Sequence, residues 1–121
     1  MSVVTPAQLE KRLYDLSKEI DESHSELVEV ESHYNSHKAH YEIAIARSRM
    51  EYSMKSSPTG KNFTVSERED MALLANEELH IRVAMAEAQV KAARANVARI
   101  KTQVDIARSI GTSVRSALEL A

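Results

Sequence analysis

Apolar residues in the first part of the chain recur at alternating spacings of four and three, from Leu9 to Ser48. This spacing keeps one stripe of a helix facing a single partner. A helix start precedes the stripe at Thr5-Pro6-Ala7-Gln8, with a cap hydroxyl, a proline at the first helical position and a glutamine three residues after the cap. The pattern predicts a first helix over about residues 6–55. The positions of this first seam are Leu9, Leu13, Leu16, Ile20, Ser23, Leu27, Val30, Tyr34, His37, Tyr41, Ala44 and Ser48.

The residues that interrupt helices are concentrated in one short segment. Ser56-Ser57-Pro58-Thr59-Gly60 holds one of the two prolines and one of the two glycines of the chain. Such clusters are typical of turns. We therefore predict a loop over about residues 56–65.

A second helix is predicted over about residues 66–119. Two overlapping capping boxes precede it, Thr64 with Glu67 and Ser66 with Glu69, and either one fits a helix start. The four-three spacing then resumes. The positions of this second seam are Leu79, Val83, Ala86, Val90, Ala93, Val97, Ile100, Val104, Ala107, Gly111, Val114 and Leu118.

Two long helices with a short loop between them predict an all-α fold, a long antiparallel two-helix hairpin of the coiled-coil type. A hairpin covers one stripe per helix, so a second apolar set would stay in water, and each large side chain left wet forgoes about 1.5–3 kcal/mol. We expect this set to drive homo-oligomerisation, although single exposed apolar residues are also common. The set comprises Leu74, Ile81, Met85, Ala88, Ala92, Ile106, Ile110, Ile43, Ile45 and Met50.

Composition supports one helical domain over residues 1–121. Two glycines, one phenylalanine and no tryptophan are too few for a sheet protein of this length. The absence of cysteine excludes disulfides and thiolate metal sites and fits a reducing compartment. The amino terminus lacks a secretory signal, and the longest apolar run, Ile43–Ala46, is far short of the roughly 20 residues that span a bilayer. We expect a cytoplasmic protein without a membrane partner.

Charge is unevenly distributed although the net charge is only −2. Residues 1–42 hold nine acidic side chains against four lysines and arginines, whereas residues 88–115 hold six basic side chains against Asp105 alone. This asymmetry indicates either pairing between the two helices or a basic face for a polyanion.

A row of four basic residues borders the second seam at intervals of seven. In a hairpin the row could pair with Glu10 or Glu31, and each such rim pair contributes about 0.2–1 kcal/mol. Alternatively, cations at regular spacing could track a nucleic-acid backbone and release its counterions. This basic row comprises Arg94, Lys101, Arg108 and Arg115.

A second basic group surrounds the predicted loop. Its cations are interleaved with an aromatic ring, a combination typical of single-strand binders, which use cations for phosphates and flat rings for bases. The alternative is a solvated helix end. This loop-end cluster comprises Arg47, Arg49, Tyr52, Lys55, Lys61 and Arg68.

Histidines and polar residues give little support to metal binding or catalysis. His33, His37 and His40 share one helix face and could bind a transition metal. No carboxylate completes an H-E-x-x-H pattern, so a polar, pH-sensitive layer is favoured and we expect no metal and no cofactor. Gly-rich phosphate loops, nucleophile elbows and paired carboxylates in a cleft are all lacking, which predicts a binding protein and not an enzyme.

The end of the first helix reads Arg47-Ser48-Arg49-Met50-Glu51-Tyr52. This motif, followed by a polar loop, a charged helix start and a long final helix, resembles the UvsY-like recombination mediators of phages. The resemblance implies a ring-like oligomer in the host cytoplasm that binds single-stranded DNA and helps to load a RecA-type recombinase where single-strand-binding protein sits. Arg47 and Arg49 match the two basic positions of the family's DNA-binding stretch, and Tyr52 matches a neighbouring aromatic residue. The second helix departs from the family in being richer in alanine and more regular in its heptads.

Three functional hypotheses follow. The first is an oligomeric single-stranded-DNA-binding accessory protein in phage-type recombination or replication, with the loop-end cluster and the basic row as DNA contacts. The alternative is a structural or adaptor coiled coil with no nucleic-acid role, whose cations pair within the fold. A weaker third hypothesis is an assembly gated by metal or pH through His33, His37 and His40.

Overall fold

The computed structural model describes residues 4–120, and this part of the chain is almost entirely helical. Helix α1 spans Pro6–Met54, α2 spans Val65–Ala75 and α3 spans Glu77–Leu120. Residues 4–120 form no strand, which confirms the all-α prediction. Across the same residues, none of the helices combines the length and the apolar character needed to cross a membrane.

Both predicted helix starts are capped as the sequence indicates. The backbone N–H of Thr5 donates to Gln8 Oε1 at 3.0 Å, and the N–H of Gln8 donates to Thr5 Oγ1 at 3.2 Å. At α2 the N–H of Glu67 donates to Thr64 Oγ1 at 3.1 Å. Of the two overlapping capping boxes, the one that begins at Thr64 therefore sets the start of α2.

The second long helix is interrupted at Asn76, where the sequence predicted a single helix over residues 66–119. The side-chain amide of Asn76 donates to the Ala72 carbonyl and to Ser48 Oγ on α1, each at 2.8 Å. The backbone N–H of Asn76 turns to the Leu73 carbonyl at 3.1 Å. An asparagine side chain competes with the backbone for helical hydrogen bonds in this way, and the hydrophobic period does not reveal it.

Replacing Asn76 with alanine is expected to lower the free energy of unfolding by about 1 kcal/mol. Two hydrogen bonds worth about 0.5–1.5 kcal/mol each are lost, against a gain of several tenths from the better helix former. Urea unfolding of Ser48→Ala, Asn76→Ala and the double variant would measure the coupling. Asn35→Ala, at an exposed position of α1, is the matched control and should not destabilise. A coupling near zero would contradict a stabilising Ser48–Asn76 bond.

The residues of the helix pair group into two compact units. The first unit joins the chain up to Glu29 with the chain from Lys91 onward, and the second unit comprises Val30–Val90. Both α1 and α3 contribute residues to each unit.

The core of the first unit is an antiparallel contact between α1 and α3. Leu16 is fully buried in a cluster with Ile100 and Ala107. Arg12 Nη2 on α1 donates to Gln103 Oε1 on α3 at 3.3 Å. Further apolar side chains packed against the cluster are Leu13, Ile20 and Val104.

In the second unit α1 also runs antiparallel to the α2–α3 segment. The rings of Tyr41 and His80 lie 5.4 Å apart, while Ser48, further along α1, meets the earlier residue Asn76. The predicted helix pairing therefore holds within each unit.

Burial follows the two predicted seams closely. Every position of the first seam is buried or half-buried, and so is every position of the second seam except Leu118. Leu118 is 59% exposed, so its assignment to the seam is wrong. Within residues 4–120, α1 begins at Pro6, which lines one groove with Val114, so no turn of α1 lies opposite Leu118 one heptad position later.

The second apolar set stays largely exposed, with one exception. Ile45 was expected to remain in water, yet it is only 8% exposed. Ile45 lies one turn before Ser48, and Ala72, one turn before Asn76, is fully buried as well. Both residues lie one helical turn from the residues of the Ser48–Asn76 hydrogen bond. The burial of Ile45 was not predicted because the sequence pattern indicated one uninterrupted helix over residues 66–119 and no separate α2. The exposed members of the set are Leu74, Ile81, Met85, Ala88, Ala92, Ile106, Ile110, Ile43 and Met50.

Candidate nucleic-acid interface

The loop between α1 and α2 is a defined tight turn. The N–H of Ser57 donates to the Lys61 carbonyl at 2.8 Å, and the N–H of Gly60 donates to the Ser57 carbonyl at 2.9 Å. Gly60 has a φ of 81°, the left-handed conformation that closes a three-residue hairpin loop. Ser56 and Asn62 form an antiparallel bridge just outside it. These bonds fix the backbone that carries Lys61.

An aromatic pair lies beside this turn. Tyr52, on the last turn of α1, contacts Phe63 edge to face, with ring centroids 5.7 Å apart and an angle of 88° between the planes. Lys55 Nζ lies 5.4 Å from the centroid of the Tyr52 ring and 3.2 Å from Glu51 Oε1. Phe63 was not among the predicted site residues, although it is the only phenylalanine of the chain and borders the predicted loop.

The cations of the loop-end cluster differ in their surroundings. Arg47, Arg49 and Lys61 are exposed, and within residues 4–120 none of the three takes part in an ion pair. Arg68 is half-buried, and its Nε donates to the Thr64 carbonyl at 3.4 Å. Arg68 therefore serves the start of α2, whereas the other three present their charge to solvent.

Acidic residues do not neutralise this region. From Arg47 to Arg68 inclusive the chain holds five basic residues and two acidic ones, Glu51 and Glu67, and Glu69 and Asp70 follow on α2. Glu51 is paired with Lys55, and Glu67 accepts from the hydroxyl of Thr64 at 3.0 Å. The loop end of the second unit is therefore a positive surface next to two aromatic rings.

The basic row belongs to the first unit, and the loop-end cluster belongs to the second. Lys101 and Arg108 are exposed, and within the described chain neither forms an ion pair. Arg115 Nε lies 3.5 Å from the Gly111 carbonyl of its own helix. Glu10 lines the same groove as Arg115 but forms no ion pair with it. Of the pairings that the sequence allowed for the basic row, the one with Glu10 is therefore not formed within residues 4–120.

The histidine face divides in two. His33 and His37 line a groove of about 330 Å³ together with Arg82 and Met85, whereas His40 is exposed elsewhere. Over residues 4–120 no group of three or more His, Asp or Glu side chains is arranged to hold a metal ion.

Comparison of the chain with protein-family models, with curated proteins and with solved structures finds no match. The resemblance to the UvsY-like mediators therefore stays a prediction from the motif at residues 47–52 and from the order of the helices. The functional proposal rests on the geometry of the loop end.

Proposed function

We propose that this protein is a homo-oligomeric accessory protein that binds single-stranded DNA in phage-type recombination or replication, in the manner of a recombination mediator. The observation that carries the proposal is the loop end of the second unit. Three exposed cations form no ion pair within residues 4–120: Arg47 and Arg49 precede Tyr52 in sequence, and Lys61 lies two residues before Phe63, the ring that Tyr52 contacts.

The chemistry of this surface suits a single strand better than a duplex. Cations neutralise phosphates and release condensed counterions, and that effect is independent of sequence. Aromatic rings add about 1–3 kcal/mol per stacked base, but only where bases are unstacked from a partner strand. The tight turn holds Lys61 in place, so little ordering of the loop backbone is required on binding.

Oligomerisation is part of the proposal because one such surface is small. The exposed apolar side chains of α3 include Ile81, Met85, Ile106 and Ile110, and burying them against other copies would recover the hydrophobic free energy left in water. Several copies acting on one strand would raise the overall affinity through effective concentration. Contacts with a RecA-type recombinase or a single-strand-binding protein are implied by the family resemblance alone.

Titration of a labelled single strand at about 50 and 200 mM salt tests the proposal. With about 0.7 counterions released per phosphate on a single strand, three phosphate contacts give roughly a 20-fold loss of affinity over this range. Duplex DNA of the same sequence should bind more weakly, because its bases are not free to stack. Absence of binding at the lower salt, or binding that does not respond to salt, would leave the adaptor coiled coil as the function.

A further inference from the structure

The two sides of the helix pair in the first unit carry opposite charge. On α1 an acidic residue directly precedes five successive seam positions, which gives an acidic stripe with the four-three spacing of the seam. On α3 the basic row directly follows its seam positions. The acidic residues of the stripe are Asp15, Glu19, Glu22, Glu26 and Glu29.

The structure places the acidic stripe on one identifiable flank. Arg12 and Gln103 each directly precede a seam residue, and the hydrogen bond between them shows that residues in this position share a flank across the antiparallel pair. Glu19, Glu22 and Glu26 line a groove on this acidic flank. The α3 residues that line the same groove are Asn96, Arg99, Ile100 and Gln103.

The charge of the acidic flank is only partly compensated. Arg12 Nη1 lies 4.0 Å from Glu19 Oε1, and Arg99 Nη2 donates to Asn96 Oδ1 at 2.9 Å. Glu22 and Glu26 form no ion pair within residues 4–120. These two carboxylates therefore face solvent along the groove.

On the opposite, basic flank Lys101 and Arg108 form no ion pair within residues 4–120. Lys101 and Arg108 follow the buried residues Ile100 and Ala107, and both point away from the acidic groove, which they do not line. On α1 the residues that follow the buried positions Leu16 and Ser23 are Ser17 and His24, neither of which is acidic. Glu10, which follows the buried Leu9, lies on this flank near Arg115 and forms no ion pair within residues 4–120.

We infer that the acidic flank of one copy receives the basic flank of a second copy. This inference rests on the oligomer included in the proposed function and names its interface. Lys101 and Arg108 are seven residues apart, as are Glu19 and Glu26, so both pairs repeat at about 10.5 Å along their helices and can be matched in register. A single exposed ion pair stabilises an interface only slightly, so a series of pairs is needed together with apolar burial.

An apolar groove continues the acidic flank toward the start of α1. It has a volume of about 410 Å³, and Arg12 and Gln103 line it as well as the acidic groove, so the two grooves adjoin. Its apolar lining residues are Val4, Leu9, Ile106, Ala107 and Ile110. A second copy seated on the acidic flank would cover these side chains and remove apolar surface from water.

Such a contact is head to tail, because each copy offers one flank of each charge. Repetition of a head-to-tail contact produces a ring if the rotation closes and a filament if it does not. In either assembly Lys101 and Arg108 are engaged by protein, and the loop-end cluster of the second unit remains for DNA.

Charge exchange between two variants tests the interface. Lys101→Glu/Arg108→Glu reverses two charges on the basic flank, and Glu19→Lys/Glu26→Lys reverses the two matching charges on the acidic flank. By light scattering at low salt, each variant alone should fall to the mass of one chain, 13.5 kDa, and an equimolar mixture should recover the wild-type mass. Circular dichroism should show unchanged helix content in both.

The control variant is Lys11→Glu/Lys18→Glu, which reverses two exposed charges with the same spacing of seven on the side of α1 opposite the seam, and which should assemble normally. Wild-type assembly by both flank variants, a mixture that fails to reassemble, or a monomeric wild type would overturn the inference. So would a Lys101→Glu/Arg108→Glu variant that assembles but loses single-strand binding, because the basic row would then bind DNA. Loss of DNA binding by loop-end variants alone would not affect it.

Discussion

Replacing Leu16 with alanine is expected to lower the free energy of unfolding by about 3–5 kcal/mol. Leu16 is the one large side chain with no solvent exposure among the described residues, and it packs against Ile100 and Ala107. Substitution of a buried leucine by alanine removes the transfer free energy of its methyl groups and leaves a cavity that the surroundings fill only in part. Urea unfolding followed by circular dichroism at a fixed protein concentration would measure the loss.

Leu118→Ala is the matched control, because it makes the same chemical change in the same unit. The heptad pattern alone places Leu118 in the seam and would predict a similar loss, whereas its exposure in the structure predicts a change within about 0.5 kcal/mol. Equal destabilisation by the two substitutions would mean that the contact between α1 and α3 extends to Leu118, contrary to its exposure in the structure.

The Arg47→Ala/Arg49→Ala double variant is expected to bind single-stranded DNA about 10- to 30-fold more weakly at about 0.1 M salt. Loss of two phosphate contacts means that about 1.4 fewer counterions are released on binding. At about 0.1 M salt, the smaller release lowers the affinity by roughly 10 to the power 1.4, which lies within this range. Both arginines are exposed and form no ion pair in the part of the chain that the structure describes, so the fold should not change. Fluorescence anisotropy over a series of salt concentrations would give affinity and slope together.

Lys11→Ala/Lys18→Ala removes the same amount of charge from exposed positions in the first unit and serves as the control. This variant should change the salt dependence of single-strand affinity little, because these lysines lie among the acidic residues of α1. If both double variants weaken binding equally, the effect comes from net charge and not from the loop-end cluster.

Local chemistry explains why so much of the fold was predictable. The capping boxes at Thr5 and Thr64 act over three residues, and the seam is a periodic property of a helix, so neither depends on distant parts of the chain. The helix break at Asn76 could not be predicted from caps and hydrophobic periodicity. Asn76 interrupts the helix through a side-chain hydrogen bond to Ser48, 28 residues away in sequence. Hydrophobic periodicity does not reveal a single side-chain hydrogen bond.

The candidate site was predictable in its residue types and not in its arrangement. Interleaved cations and a tyrosine singled out the loop-end cluster. The contact of Tyr52 with Phe63 and the engagement of Arg68 with Thr64 depend on how the turn closes. In the same way, the sequence left two roles open for the basic row, and within the described residues one of its possible ion pairs, that with Glu10, is not formed.

The sequence by itself determined that this protein is helical, where its helices begin and which stripe of each helix is buried, because caps and periodicity are encoded within a few turns. Tertiary structure alone decided where the pairing ends, which left Leu118 exposed, and how the uncompensated charges divide between the two flanks of the first unit. Both depend on the register between two helices. Register is set by the summed packing of many side chains far apart in sequence.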